Sequence, residues 1–540
     1  MPRFTLDTLK GDIFGGLTAA VVALPLALAF GVASGVGPIA GLYGAIAVGF
    51  FAALFGGTPA QVSGPTGPMT VVMGAVVAQH ADSLPEAFAI VILGGALQIL
   101  FGLCRIGRYV SYTPYSVVSG FMSGIGIIII LIQILPFFGL ATAPGGPVGA
   151  IRAWPSIPGH FVMDALLIGT ASLAIMIFWP KSFQRYLPSP LASLIAGTLL
   201  AVLFLPESPI IGDVPTGLPE IVIPVFNPAQ LAPIIQAAVI LALLGSIDSL
   251  LTSLVADSIT RTRHNSNKEL IGQGIGNMVA GFIGGLPGAG ATMRTVVNVR
   301  AGGRTPVSGM LHAMVLLALV LGLGPLAERV PHAALAGILL KVGWDIIDWG
   351  YLKRIARAPR DKVVVMLVTL GLTVFIDLIT AVAVGIILAS FVTARWQEQE
   401  QLQGITTLAL PNGDSPLTPE EEEELKKANG NVAVVLLRGS FSYASARELA
   451  ARIGAESAGH RAVVYDLTEA AHMDTSAALA LEELIEQAQV EHEACFVSGL
   501  SGTAKETLEK LGVLNRVPPE RQFDKRSEAI KTAVGAALAN

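Results

Sequence analysis

The sequence predicts a polytopic, all-α membrane domain of about fourteen spans with a small α/β domain after it. Three observations carry that class. Of the 540 residues, 53% are hydrophobic and only 14% are charged, against roughly 25% charged in soluble domains. Apolar runs able to span a bilayer, about 20 residues each, recur from Gly15 to Val392, and a charged, soluble pattern begins after Arg395. Two stretches also look like one device built twice: Ser63-Gly-Pro-Thr-Gly-Pro-Met-Thr-Val-Val-Met73 and Gly288-Ala-Gly-Ala-Thr-Met-Arg-Thr-Val-Val297. Each places Gly or Pro, then Thr and Met, then Val-Val. Such interruptions survive in hydrocarbon only where protein or a water-filled cavity covers them, and a matching pair marks a transporter's substrate site.

The apolar runs include Gly16–Phe30 continuing through Gly41–Phe55, then Val118–Phe138, Leu191–Leu205, Ile234–Ala256 and Val307–Leu323. The first carries Pro25 and passes into further apolar sequence without a small-residue cleavage site, so no cleavable signal peptide is expected. Basic residues gather at Arg105/Arg108, Lys181/Arg185, Arg261/Arg263/Lys268, Arg300/Arg304 and Lys353/Arg354/Arg357/Arg360. Placing those clusters in the cytoplasm puts both termini there and requires an even number of spans. The loop at 206–230, with Glu207, Asp213 and Glu220 and no Lys or Arg, falls outside. If it divides the spans evenly, the halves form an inverted repeat, and the two breaks become the third and tenth spans.

Trp344, Trp349 and Tyr351 mix with charges over 343–358 and predict an interfacial helix on the cytoplasmic face. Ser266-Asn-Lys-Glu269 reads as a capping box that starts a helix. The expected division is a transport domain at 1–396, a linker at 397–430 and a soluble domain at 431–540. In the linker, Thr418-Pro-Glu-Glu-Glu reads as a helix start, with acids on the positive end of the dipole. In the tail, strands are expected at Val432–Leu437, Ala462–Asp466 and Ala494–Val497, and helices at Ser445–Ile453, Ser476–Gln489 and Thr503–Leu511.

Asp248 lies deep in an apolar segment, where a carboxylate costs several kcal/mol unless paired or solvated. Thr252 follows one turn later on the same face, so the pair offers oxygen ligands to a hard cation. The alternative is a structural acid bonded to backbone. Asp377 is a competitor placed where two spans meet. Arg294 follows the second break, where its donor fork adds a full charge to the partial charge of two opposed helix N-termini. Those ends form an anion site, with Thr66, Thr70 and Thr292 as neutral donors; the alternative for Arg294 is snorkelling near a loop. Cys104 and Cys495 fall in different domains and indicate no disulfide framework. His80, His160, His264 and His312 are scattered, and no Ser-His-Asp set or zinc spacing is evident, so an enzyme is not expected.

Pro25-Leu-Ala-Leu-Ala-Phe-Gly-Val-Ala-Ser-Gly35 with Gly41-Leu-Tyr-Gly-Ala45 resembles the signature of the SulP (sulfate permease) family, and the tail resembles its STAS domain. Within that family the chain resembles BicA-type bicarbonate transporters. The resemblance rests on Gly49-Phe-Phe-Ala-Ala-Leu-Phe-Gly-Gly-Thr-Pro59, Ser119-Gly-Phe-Met-Ser-Gly-Ile-Gly-Ile-Ile128 and Val255-Ala-Asp-Ser-Ile-Thr-Arg-Thr-Arg-His-Asn-Ser-Asn-Lys-Glu-Leu270. It implies fourteen spans in two inverted seven-span repeats, divided into core and gate, and a homodimer helped by the STAS domain. It also implies a sodium site at Asp248, Thr252, Gly290, Ala291 and Thr292, with Thr66 across the pocket. Two positions depart from the bicarbonate-transporting members: Gly64 where they carry Glu, and Arg294 where they carry Gly. Both changes make the local field more positive and favour an anion. Met473-Asp-Thr-Ser476 matches the loop that is phosphorylated in related anti-sigma-factor antagonists, at Thr475; the simpler reading is an N-cap by Asp474 or Thr475.

The expected function is secondary active transport of an inorganic anion, with sodium-coupled bicarbonate symport leading. Transport of sulfate or a dicarboxylate coupled to sodium or protons, and uncoupled anion exchange, remain open. Sodium is expected as the coupling ion and no cofactor is expected. The expected location is a bacterial inner membrane.

Overall fold

The computed structural model describes residues 6–79, 84–110, 114–180, 182–184, 187–212, 219–224, 230–376, 378–410, 415–457, 459–491 and 494–539. Asp377, His80, Lys181, Arg185 and Asp213 lie outside the described residues. The chain divides into two units, Met1–Ala389 and Ser390–Asn540.

The first unit is helical. Its longer helices are α1 (Leu6–Ala33), α2 (Pro38–Phe55), α3 (Gly67–Gln79), α4 (Leu84–Leu103), α5 (Tyr115–Phe137), α6 (Met163–Phe178) and α7 (Ser189–Leu203). They continue with α8 (Leu231–Thr260), α9 (Ser266–Phe282), α10 (Thr292–Ala301), α11 (Pro306–Ala327), α12 (His332–Ile346), α13 (Arg360–Phe375) and α14 (Leu378–Gln403), which runs on into the second unit. Among the described residues, six helices are long and apolar enough to cross a membrane, or up to eight if each sharply bent pair counts as one span. α3 and α7 are shorter apolar helices. Length and composition alone therefore do not yield fourteen crossings.

The two sequence breaks are extended backbone. β1 (Ser63–Gly64) pairs antiparallel with β2 (Ala289–Gly290), matching Ser63 to Gly290 and Gly64 to Ala289. α3 begins three residues after β1, and α10 two residues after β2. α8 packs against α3, α10 and β2, so one long helix forms a wall beside both breaks. Small residues allow α4 to cross closely on α9, where a Cβ on Gly95 would meet the Gly274 carbonyl oxygen at 2.6 Å.

Two local expectations change. α9 is capped one residue earlier than expected: Asn265 Oδ1 accepts from Lys268 N–H at 3.1 Å, and Glu269 turns into the core. The 343–358 stretch is not one interfacial helix. α12 continues through Trp344 to Ile346, and a new turn starts at Trp349. Asp348 makes that break, because its carboxylate accepts from Tyr351 N–H at 3.0 Å and from the Tyr115 and Ser119 hydroxyls, both at 2.7 Å.

The second unit is an α/β sheet of order β3-β4-β6-β8-β9, with β3 (Ile405–Leu408) antiparallel at one edge and the other pairings parallel. β4 (Val432–Leu437), β6 (Ala462–Asp466) and β8 (Ala494–Ser498) are the expected strands; β9 is Gln522–Phe523. A separate parallel pair joins β5 (Gly439–Phe441) to β7 (Ala470–Met473). The helices are α15 (Pro419–Lys427), α16 (Tyr443–Ser457), α17 (Thr475–Val490), α18 (Gly502–Lys510) and α19 (Arg526–Ala539). β4 and β6 are buried along their whole length, as a parallel strand covered on both faces requires. The segment expected as linker is part of this fold: β3 extends the sheet, and α15 carries the Thr418–Glu421 capping box and packs on α19.

Candidate ion and anion site

The site forms where α8 passes the β1–β2 ladder. Asp248 and Thr252 both face inward from α8, and the Asp248 Oδ2 atom is buried without a hydrogen-bond partner. Thr252 donates to the Gly290 carbonyl at 2.9 Å and its hydroxyl lies 2.7 Å from that of Thr292. Gly290 N–H donates to Ser249 Oγ at 3.0 Å, and Ala291 N–H to the Val62 carbonyl at 2.9 Å. One carboxylate, two hydroxyls and the Gly290 carbonyl thus gather on one side, a donor set of hard oxygens.

Arg294 sits in the first turn of α10 and is only 2% exposed. Its Nη2 donates to the Pro65 carbonyl, while Nη1 is buried without a partner. Arg294 and Asp248 lie within electrostatic reach of each other, yet no nitrogen–oxygen pair between them is within 4.0 Å. A Cβ on Gly64 would fall 2.7 Å from Nη1, so the guanidinium occupies the space a side chain at 64 would need. Gly64 also has φ +149°, which L side chains rarely adopt.

Thr66 precedes α3; its buried hydroxyl lies within reach of the Asp248 carboxylate but makes no hydrogen bond of good geometry. The second helical residue is Pro68, which has no N–H for that hydroxyl to cap. Ala291 precedes α10 and has no capping side chain, so the first N–H groups of α10 lack a side-chain partner. Thr70 differs from the expectation: its hydroxyl donates to the Thr66 carbonyl at 2.8 Å, which commits its proton to its own helix.

A second layer, missed in the sequence, holds the first break in place. Glu269 is 1% exposed. It accepts from Gln61 Nε2 and Gln273 Nε2 at 2.8 Å each, and from Gly57 N–H at 2.9 Å. Gln273 also donates to Ser63 Oγ at 2.6 Å. Val62 N–H donates to Thr295 Oγ1 at 3.0 Å, and Asn298 Nδ2 donates to the Ala60 carbonyl at 2.9 Å. His312 on α11 is fully buried, and neither ring nitrogen has a partner. The available clue was polar residues at three- and four-residue spacing on apolar helices, Glu269-Gln273-Asn277 above all.

A Ser-His-Asp line does exist, contrary to expectation. His264 Nδ1 lies 2.7 Å from Asp257 Oδ2, and Nε2 lies 3.0 Å from Ser266 Oγ. Asp257 also accepts from the His264 N–H at 2.9 Å and the Thr262 hydroxyl at 3.1 Å, so the line locks the α8–α9 turn. In the second unit, Asp474 caps α17 by accepting from Ala477 N–H at 2.9 Å and also takes Tyr443 N–H at 2.8 Å. Thr475 is the first helical residue and is exposed.

Comparison with known proteins turns this geometry into a family assignment. The model of the sulfate permease family matches residues 9–369, most of the chain. The chain belongs to the sulfate permease family. A STAS domain model matches residues 425–529 of this family member. It is 45% identical over 537 residues to the bicarbonate transporter BicA of Picosynechococcus sp., covering 97% of this chain and 95% of that one. It is 30% identical over 534 residues to the putative sulfate transporter YvdB of Bacillus subtilis, covering 97% and 98%. Among solved structures, the transmembrane domain of a cyanobacterial BicA aligns with a TM-score of 0.66 at 50% identity, covering 70% of this chain and 98% of that one. SLC26A9 aligns with a TM-score of 0.83 at 18% identity, covering 100% and 92%, a likeness of fold. This sulfate permease family member is thus a multi-pass membrane transporter and not an enzyme.

Proposed function

We propose that the chain is a secondary transporter that moves bicarbonate together with sodium, the anion bound between the N-termini of α3 and α10. One observation carries the reading. Asp248 Oδ2 and Arg294 Nη1, an anionic acceptor and a cationic donor, are both buried without hydrogen bonds of good geometry around the paired breaks, and the Thr66 hydroxyl lies within reach of the same carboxylate. Buried polar groups are almost always satisfied, and each orphan costs about 1–3 kcal/mol. Ligands of both signs would remove that cost.

Charge bookkeeping favours a monovalent anion. Sodium at Asp248, Thr252, Thr292 and the Gly290 carbonyl cancels the carboxylate, and Arg294 then balances one negative charge. A divalent anion would leave a net charge in the interior, which is expensive. Sodium also removes the Asp248 attraction on Arg294, so cation binding strengthens the anion's hold on the guanidinium. The 45% identity to a bicarbonate transporter supports the same substrate.

The second reading is sulfate or dicarboxylate transport, or uncoupled anion exchange, and Arg294 is the observation that favours it. We further propose that both termini are cytoplasmic in a bacterial inner membrane, that two copies associate through the STAS domain, and that Thr475 is its modification site. The test is uptake of labelled bicarbonate into proteoliposomes with and without an inward sodium gradient, with sulfate, fumarate and chloride as competitors. Sodium-stimulated bicarbonate uptake that Asp248→Asn abolishes supports the proposal. Uptake indifferent to sodium, or inhibited tenfold better by sulfate, supports the second reading instead.

A further inference from the structure

A groove on the membrane unit lies apart from the ion site. α12 packs intimately on both α5 and α6, while those two helices touch only lightly. The cleft left between them has a volume of about 500 Å³ and is lined by Ile130, Leu173, Ile177, Leu340, Lys341 and Trp344. Four of the six are aliphatic. The polar contributions come from Lys341 and Trp344, near the C-terminal end of α12, and Ile177 lies at the C-terminal end of α6. The cleft therefore reaches the end of both helices. Neighbouring side chains face outward there: Trp344 is 52% and Phe178 is 79% exposed.

The rim is chemically specific. Lys341 Nζ donates to Asp345 Oδ2 at 2.6 Å, one turn further along α12. Trp344 packs against Trp349 with ring centroids 4.3 Å apart and planes tilted by 34°, the aromatic pair expected where a helix meets the head-group layer. The C-terminal ends of α6 and α12 also carry partial negative charge. A positive and a negative side chain adjacent on one helix complement a head group that itself carries both signs.

We propose that this groove is a binding site for one glycerophospholipid with a zwitterionic, amine-bearing head group. An acyl chain lies along Ile130, Leu173, Ile177 and Leu340, the phosphate meets Lys341, and the ammonium meets Asp345. The walls tell against a peptide, whose backbone groups would find no partners among aliphatic side chains. A helix about 10 Å wide from a second copy does not enter a cleft of this volume. Asp345 disfavours a purely anionic head group.

The experiment is native mass spectrometry of the full chain released from nanodiscs holding equal phosphatidylethanolamine and phosphatidylglycerol. Wild type is expected to retain one phosphatidylethanolamine per chain, with about tenfold preference. Leu173→Trp, which fills the cleft, loses the retained lipid. Lys341→Met preserves the walls and cuts the amount of phosphatidylethanolamine retained about fivefold, the effect of one basic contact at a membrane surface. Asp345→Asn shifts retention toward phosphatidylglycerol. The proposal is overturned by equal retention in wild type and Leu173→Trp, by phosphatidylglycerol retained at least as well in wild type, by Lys341→Met retaining as much lipid as wild type, or by an Asp345→Asn preference equal to wild type. A cross-link from Trp344 to a second chain overturns it as well. The Lys341→Met arm reads retention and the Asp345→Asn arm reads selectivity even where Leu173→Trp fails to fold.

Discussion

Gly64 and Arg294 are a coupled pair, because a Cβ at 64 would sit 2.7 Å from Arg294 Nη1. Gly64→Glu should engage that nitrogen and remove the free donor, raising the apparent Km for the anion at least about tenfold, or roughly 1.4 kcal/mol. Arg294→Gly should do the same by deleting the donor. The two changes together should cost less than their sum, because the introduced carboxylate then has no guanidinium to neutralise; uptake kinetics of the three variants check this. Thr292→Val should act on the cation side. It removes a hydroxyl 2.7 Å from that of Thr252, so the sodium concentration for half-maximal uptake should rise about tenfold with Vmax preserved. Asp248 and Arg294 were legible as residues because charge in an apolar run is costly, and Thr252 because it follows Asp248 by one helical turn. Their partners were not, since no local pattern says that the Thr70 hydroxyl turns back to Thr66 or that Gly64 yields space to a residue 230 positions away.

The elements around the site are held by a buried acid that binds no cation of the protein among the described residues. Glu269 accepts from two amide side chains and one backbone N–H, and these connect α9 to the chain at 57–63. All its partners are donors, so Glu269→Gln places an amide NH2 where an acceptor is required. Each lost bond from a charged acceptor is worth about 1.5–3 kcal/mol, and a lowered midpoint in thermal unfolding of the purified protein should show it. Asn265→Ala removes only the cap of α9 and should cost about 1 kcal/mol. The strand and helix pattern of the second unit was readable because β-branched runs and 3.6-residue periodicity are local signals. β3 and the two-residue strands were not, since an edge strand earns its place from pairing with β4 rather than from its own composition. Asp348 broke an aromatic stretch that resembled one interfacial helix, by bonding to residues on α5.

At the scale of the whole molecule, each unit carries its own fastening. In the second, Arg526 on α19 meets Glu421 through Nε at 3.1 Å and Nη2 at 2.8 Å, and Asp466 through Nη1 at 3.4 Å. Burial alone would raise the Glu421 carboxyl, but hydrogen bonds from Arg526 and Thr418 outweigh it and hold the group below its ordinary value. A carboxyl depressed in the folded state stabilises above its unfolded value, near 4.5, and that contribution is lost as pH falls through the folded value. Hydrogen exchange of the α19 amides in the full chain should therefore accelerate as pH drops below about 4, after correction for intrinsic rates. Glu421→Gln should abolish that step while leaving the α17 amides unchanged. The first unit's fastening has a different consequence. Ser63–Gly290 and Gly64–Ala289 are stitched side by side, so parting the two breaks would cost the hydrogen bonds of that ladder. A transport cycle that keeps the ladder whole carries both breaks as one body, like freight in a sealed car, with the doors supplied by whatever it slides past. A covalent staple across the seam should leave the journey running, and only a staple to the track should stop it.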